Sequence, residues 1–99
     1  ELKMIKHIVC FKLKDNSPAE CEKAKEVLMS MVGKVPSARH IEVGIDQLHS
    51  ARSFDVILMV DVDDMAALDV YANDEYHCSV VKTHMHAVCE KSVTVDYAY

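Results

Sequence analysis

Hydrophobic side chains recur at every second residue in four segments of this 99-residue chain, and this period constrains its fold more than any other feature. Such alternation is typical of a β-strand, because successive side chains point to opposite faces of a sheet. The four predicted strands span residues 3–14, 39–48, 54–62 and 93–97. A short polar connection at residues 50–53 predicts that the second and third strands form an antiparallel hairpin.

Helix signals fill the longer intervals between the strands. Ser17 and Pro18 predict the start of a first helix with Ser17 as its N-cap, and Gly33 predicts its end in the C′ position. The apolar stripe of this helix is predicted to contain Cys21, Ala24, Leu28, Met31 and Val32. The second helical segment is in two pieces, a short helix with Met65, Leu68 and Tyr71 on one stripe and a stretch from about residue 76 to residue 89.

The resulting order of elements is β-α-β-β-α-β. It predicts an α+β, ferredoxin-like fold, in which helices cover one face of a four-stranded antiparallel sheet. A chain of this length forms a single domain. We place that domain at residues 4–99, with residues 1–3 either preceding a start at Met4 or forming a native N-terminal extension.

The sheet face that the helices leave open is expected to be polar, yet the first and third strands are apolar on both faces. On the first strand, Ile8 and Cys10 lie opposite Val9 and Phe11. The chain has no spare helix to cover a second apolar face. The pattern therefore predicts a homodimer that packs sheet against sheet.

Composition and charge argue against several classes of partner. Eleven Lys and Arg against sixteen Asp and Glu give a net charge of −5, which disfavours nucleic acid and anionic membrane surfaces. No apolar stretch approaches the roughly 20 residues that span a bilayer. The four cysteines form no CxxC pair, and three of them fall in predicted helices, as is typical of free thiols. With no visible signal peptide, these features predict a reduced, cytoplasmic protein.

Six histidines in so short a chain raise the question of a metal site or a proton-transfer site. His84 and His86 are two residues apart and would point to nearly opposite sides of a helix, so they do not form a chelating pair. His40 and His49 have no identifiable partner in the sequence. We therefore predict neither a metal ion nor a cofactor.

His7 and His77 are the two histidines that can converge, near Tyr71. His7 interrupts the apolar face of the first strand, and an imidazole buried there needs a polar partner, for which the Tyr71 phenol is a candidate. A His-Tyr-His set in one cavity could hold a carbonyl group and move a proton. The alternative is that each group meets backbone or water at the rim of the core.

Several short motifs resemble the stress-responsive A/B barrel (Dabb) family over essentially the whole chain, residues 4–97. They are the opening strand at residues 4–9, Tyr71 six residues before His77, and a Val-rich last strand that ends at residues 96–97. The resemblance implies a ferredoxin-like protomer whose sheet packs on that of its twin to form a dimeric α/β barrel.

One branch of this family, the olivetolic acid cyclases of plants, closes a linear polyketide by an intramolecular aldol condensation. Its catalytic set is similar to His7, Tyr71 and His77 of this sequence. By that resemblance, His77 is a general base and His7 supports the site. Tyr71 then orients His77 or polarises a substrate carbonyl.

The sequence therefore predicts a homodimer that binds a small apolar or carbonyl-bearing molecule in a cavity between the sheet and the helices. Val9, Phe11 and Leu58, on the inward faces of two strands, are predicted to contact the ligand, and the His-Tyr-His set is the candidate catalytic group. Two alternatives stay open. One is a polyketide-cyclase-like enzyme of the aldol or lyase type, and the other is a structural or interaction protein without catalysis.

Overall fold

The computed structural model describes residues 3–99, in which a helical layer lies on one face of a four-stranded sheet. The strands are β1 (Ile5–Leu13), β2 (His40–Ile45), β3 (Val56–Val62) and β4 (Cys89–Ala98). The helices are α1 (Pro18–Met29), α2 (Met65–Ala72), a π-helix (His77–Lys82) and α3 (Thr83–Val88). The predicted order of elements is confirmed, with the last helical stretch divided into a π part and an α part.

The strands pair in the order β2-β3-β1-β4, and every pair is antiparallel. β2 and β3 form the predicted hairpin, in which Val43 lies opposite Leu58. β1 lies inside the sheet, so Val9 is opposite Leu58 on one side and Thr94 of β4 on the other. This arrangement confirms the ferredoxin-like α+β fold.

The helices cover the face of the sheet to which the buried side chains of the strands point. α1 begins as predicted, since the Ser17 hydroxyl accepts the Glu20 N–H at 3.4 Å and Pro18 occupies the first helical turn. Burial of this face supplies most of the stabilisation of a small domain. The largest fully buried side chains are Tyr71, Leu28, Met31, Leu58, Val60, Val62 and Val81.

The other face of the sheet, which we call the open face, is covered by no element within residues 3–99. Its apolar side chains are Ile8, Cys10, Ile57, Met59, Val93, Val95 and Tyr97. At one end, Lys6 and Asp61 form an ion pair of 3.1 Å, and the Tyr99 hydroxyl donates to Asp61 at 2.6 Å. The open face is therefore an apolar strip with a polar cluster at one end.

Several expected element ends are wrong. Val32 is exposed, because α1 ends at Met29 and a turn follows. Gly33 is not the C′ residue of α1 but lies beyond the C-cap Ser30, where its φ of +79° closes that turn. Leu48, the predicted end of the second strand, lies exposed in the connection that follows β2.

Two further expectations fail in the second half of the chain. Cys89 is not helical: its backbone is extended and pairs with Leu13, so strand pairing ends α3 before it. Met65 is the first residue of α2 and is exposed, whereas Tyr71 near the end of the same helix is buried. Only the C-terminal part of α2 therefore packs its predicted stripe fully into the core.

Candidate functional site

A cavity of about 190 Å³ lies between the inner face of the sheet and the helical layer. Its wall includes Val9, Phe11 and Leu58, the three positions predicted to contact a ligand. The other lining residues are His7, Leu28, Tyr71, His77, Val81, Lys82, Met85, His86, Cys89, Ser92 and Thr94. An apolar wall with a few polar groups is the usual composition of a small-molecule site.

His7, Tyr71 and His77 come together in this wall although they lie on three different elements. His7 is in β1, Tyr71 is the last residue but one of α2, and His77 begins the π-helix. The ring centroids of His7 and Tyr71 are 5.6 Å apart, and those of Tyr71 and His77 are 4.5 Å apart. These separations are within the range of aromatic contact, so the fold gathers the three predicted site residues around the Tyr71 ring.

The position of His77 is set by the polar turn that precedes it. The backbone N–H of His77 donates to Oδ1 of Asp74 at 3.0 Å, which ties the start of the π-helix to that turn. The His77 residue is only 9% exposed, and its Nδ1 has no hydrogen-bond partner among residues 3–99.

Burial of the ring is the main cause that lowers the pKa of His77 to about 4. Electrostatic interactions with Lys82 and His7 act in the same direction, and the Asp74 carboxylate opposes them. The imidazole is therefore neutral at pH 7, and the hydrogen-bonding capacity of one ring nitrogen is unused within the described residues.

The Tyr71 hydroxyl makes no hydrogen bond to either imidazole in the described part of the chain. It is fully buried and donates to the sulfur atom of Met31 at 3.7 Å, a weak acceptor. Burial raises the pKa of Tyr71 well above its ordinary value, and the Asp74 carboxylate adds to the shift. The phenol therefore stays protonated, and in this structure Tyr71 presents its ring, not its hydroxyl, to the two histidines.

His7 hydrogen-bonds to Asp96 and not to the Tyr71 phenol, which corrects the expected hydrogen-bond partner. In the pairing of β1 with β4, His7 lies directly opposite Asp96, and His7 Nδ1 hydrogen-bonds to Asp96 Oδ1. A carboxylate on one ring nitrogen fixes the orientation and tautomer of an imidazole. The alternation of Ser92, Thr94 and Asp96 with apolar residues along the last strand was the sequence signal that could have identified this partner.

Four polar lining residues were not among the predicted site residues: Lys82, His86, Ser92 and Thr94. Ser92 and Thr94 lie on the inner side of β4, an edge strand that remains exposed beside the helical layer. Lys82 ends the π-helix, and its Nζ donates to the backbone carbonyl of Ala72 at 3.1 Å. These residues supply most of the hydrogen-bond donors of the wall.

The remaining histidines do not line the cavity. His40 and His49 are exposed, and His84 is half-buried on α3. Within residues 3–99, no group of three or more His, Cys, Asp or Glu side chains is arranged to hold a metal ion. The same range contains no helix with the length and hydropathy to cross a membrane. All four cysteines are free thiols.

The lowered pKa of His77 predicts that the free energy of unfolding decreases as the pH decreases. The unfolded chain takes up a proton near the ordinary pKa of 6.5, whereas the folded protein does so only near 4. The contribution of neutral His77 to stability is therefore fully present above pH 6.5 and is lost as the pH falls toward 4. We expect wild type to lose about 2 kcal/mol more than His77→Leu between pH 7.5 and pH 5, as measured by urea unfolding.

The control for this pH measurement is His49→Asn. It removes an exposed histidine whose φ of +56° asparagine tolerates, and it should keep the wild-type pH dependence. Equal pH dependence in wild type and His77→Leu would contradict the assignment of the shift to His77.

The fold and its cavity define a class of protein: a ferredoxin-like α+β domain with a His-Tyr-His cluster in a pocket between sheet and helices. Residues 5–99 match the model of the stress responsive A/B barrel domain, Dabb. The chain belongs to this family, as its sequence motifs predicted. A comparison with curated proteins gives no match.

Solved structures share the fold over nearly the whole chain. A dimeric protein of unknown function from Bacteroides fragilis is 27% identical, with a TM-score of 0.82 over 97% of this chain and 96% of that one. A Dabb family protein from Mesorhizobium loti is 23% identical, with a TM-score of 0.82 and coverage of 96% and 95%. The hydroxynitrile lyase of Passiflora edulis is 16% identical, with a TM-score of 0.83 and coverage of 98% and 94%.

Proposed function

We propose that the protein binds a small carbonyl-bearing molecule in the cavity and that neutral His77 hydrogen-bonds to it. The observation that carries this proposal is the buried Nδ1 of His77, which has no partner among residues 3–99. An unpaired buried polar group costs about 1–3 kcal/mol, and a ligand that meets it removes that cost. Neutral imidazole has one donor and one acceptor nitrogen, so it can serve a carbonyl oxygen or a hydroxyl group.

The size of the cavity restricts the ligand. An engineered apolar cavity of roughly 150 Å³ holds benzene, and the cavity of this protein measures about 190 Å³. A single aromatic ring with one short substituent therefore fits, whereas a long polyketide chain does not fit within one protomer. The apolar side chains of Val9, Phe11 and Leu58 are proposed to contact the ring.

The proposal includes a homodimer in which two open faces pack together as a dimeric α/β barrel. Support comes from the exposed apolar strip of the open face and from similar solved structures described as dimeric. The family description suggests a stress response, and four free thiols are typical of a reducing compartment such as the cytoplasm. Both of these remain parts of the proposal.

A second candidate function is a lyase that cleaves a carbon–carbon bond beside a hydroxyl group. The similarity to a hydroxynitrile lyase favours this chemistry over polyketide cyclisation, because the cavity suits a small substrate. In the proposed step, His77 accepts the hydroxyl proton of a 2-hydroxynitrile and the carbonyl double bond forms. The bond to the nitrile carbon breaks with its electron pair on that carbon, which then takes the proton from His77 as hydrogen cyanide.

Binding of benzaldehyde tests the first function. We expect wild type to bind it at millimolar concentration or below, and His77→Leu to bind at least about tenfold more weakly, because one buried hydrogen bond is lost. NMR chemical-shift titration measures both affinities.

The same variants incubated with mandelonitrile test the lyase, since release of benzaldehyde should fall about 100-fold or more without His77.

The control for both measurements is again His49→Asn, which leaves the cavity unchanged and should behave as wild type. Equal benzaldehyde affinity in wild type and His77→Leu would contradict the role of His77. Absence of benzaldehyde binding by wild type would favour the alternative of a structural or interaction protein without catalysis.

A further inference from the structure

The charge of the cavity wall differs from that of the protein as a whole. The chain has more Asp and Glu than Lys and Arg, sixteen against eleven, yet none of the residues that line the cavity is acidic. The nitrogen-containing side chains of the wall are Lys82, His7, His77 and His86. Lys82 supplies the positive charge of this wall, and no acidic lining residue offsets it. Because a positive charge in a cavity attracts the opposite sign, this wall favours an anionic ligand.

Two carboxylates approach the histidines but do not line the cavity. Asp96 is bonded to Nδ1 of His7, and Asp74 accepts the backbone N–H of His77. Neither is within ion-pair distance of Lys82, which takes part in none of the ion pairs among residues 3–99. The ammonium group of Lys82 therefore lacks a protein counter-ion in the described part of the chain.

Lys82 has hydrogen-bonding capacity to spare. Its half-buried side chain donates to the Ala72 carbonyl at 3.1 Å, and an ammonium group carries three donors. The hydroxyls of Ser92 and Thr94 also line the cavity and can donate to the same ligand.

The π-helix explains why Lys82 and His77 reach the same cavity. In an α-helix with 3.6 residues per turn, side chains five residues apart point ~140° away from each other. A π-helix bonds each residue to the fifth one along, so its wider turn brings residues five apart closer to one side. His77 and Lys82 are the first and last residues of this segment, and both line the cavity.

We propose that the cavity takes a small organic monoanion with an apolar body, such as an aromatic carboxylate, and that Lys82 pairs with the carboxylate. The apolar body then lies against Phe11 and Leu58. This inference rests on the proposed function, since it assigns a ligand class to the same cavity. Ammonium–carboxylate hydrogen bonds are about twice as strong as neutral ones, so the charge of the ligand should govern its affinity.

Benzoate and benzamide form a matched pair of probes, since they have nearly the same shape and differ in charge. We expect wild type to bind benzoate at least about tenfold more tightly than benzamide, as measured by NMR titration at low salt. Lys82→Met should reduce benzoate affinity about tenfold or more and change benzamide affinity less than about twofold. Lys82→Arg keeps the cation and should keep most of the preference for benzoate.

The control is Lys23→Met, a lysine on the exposed side of α1, which should bind both probes as wild type does. Benzamide and benzaldehyde binding without a preference for benzoate would overturn this inference and leave the proposed function intact. An equal preference in wild type and Lys82→Met would overturn the role of Lys82. If none of the three probes binds wild type, the proposed function and this inference fail together.

Discussion

Val95→Glu should convert the proposed dimer to a monomer. Val95 lies on β4 in the open face, in the same cross-strand row as Ile8, and it is 62% exposed in the protomer. In a dimer with packed open faces, the introduced carboxylate would be buried without a partner. Because the dimer is twofold symmetric, one such carboxylate would be buried from each protomer. We expect the dimer dissociation constant to rise at least about 1,000-fold, which corresponds to roughly 4 kcal/mol.

The control is Val70→Glu on α2, because Val70 is 60% exposed in the protomer and lies away from the open face. Because both residues are similarly exposed in the protomer, a difference in oligomeric state between the two variants reports on the open face. Size-exclusion chromatography with light scattering should give a mass near 11.1 kDa for Val95→Glu and twice that mass for Val70→Glu and wild type. A dimeric Val95→Glu protein, or monomeric wild type at micromolar concentration, would contradict the proposed interface.

The faces of the strands could be predicted because alternation is a local property of the backbone. Ile8 and Val9 are neighbours in sequence, and a strand conformation is enough to place them on opposite faces. The same rule brought His7 to the inner face. It could not supply the partner of His7, because that depends on the register between β1 and β4, which lie at opposite ends of the chain.

The π-helix is the main feature of the site that sequence reasoning missed. The predicted helix from residue 76 has the apolar spacing of an ordinary α-helix. Nothing in its composition distinguishes the backbone hydrogen bonds of a π-helix, which join residues five apart, from those of an α-helix, which join residues four apart. With α-helical geometry, Lys82 is assigned to a different side from His77. The α-helical spacing therefore gives no signal for Lys82 beside His77, and Lys82 was not among the predicted site residues.

Tyr71 shows the same limit at a finer scale. Its spacing from His77 and the stripe of α2 placed the ring correctly beside both histidines. The direction of its hydroxyl depends on Met31, which follows α1 and is distant in sequence. In this structure, Tyr71 contacts the two imidazoles through its ring, and the predicted roles of the three residues stay proposals.

Asp55→Ala should destabilise the protein by about 3 kcal/mol. Asp55 precedes β3 and is buried, and its carboxyl oxygens accept the Leu13 N–H at 2.8 Å and the Asn16 side-chain amide at 3.2 Å. Its own N–H donates to the Phe11 carbonyl at 2.8 Å. The substitution keeps this backbone bond but removes the two bonds to the carboxylate and leaves the buried Leu13 N–H unpaired. These losses together come to roughly 2–4 kcal/mol.

Asp55 thus holds the end of β1 against the start of β3 and keeps Phe11 in the cavity wall. For a domain of this size, a loss of about 3 kcal/mol lowers the Tm by roughly 12–24 °C, which calorimetry measures directly. The matched control is Asp63→Ala, which breaks an exposed pair with Arg39 and should shift the Tm much less. Equal shifts for the two variants would show that the buried carboxyl group does not anchor β1. Asp55→Asn, which keeps one acceptor oxygen, should fall between Asp55→Ala and wild type.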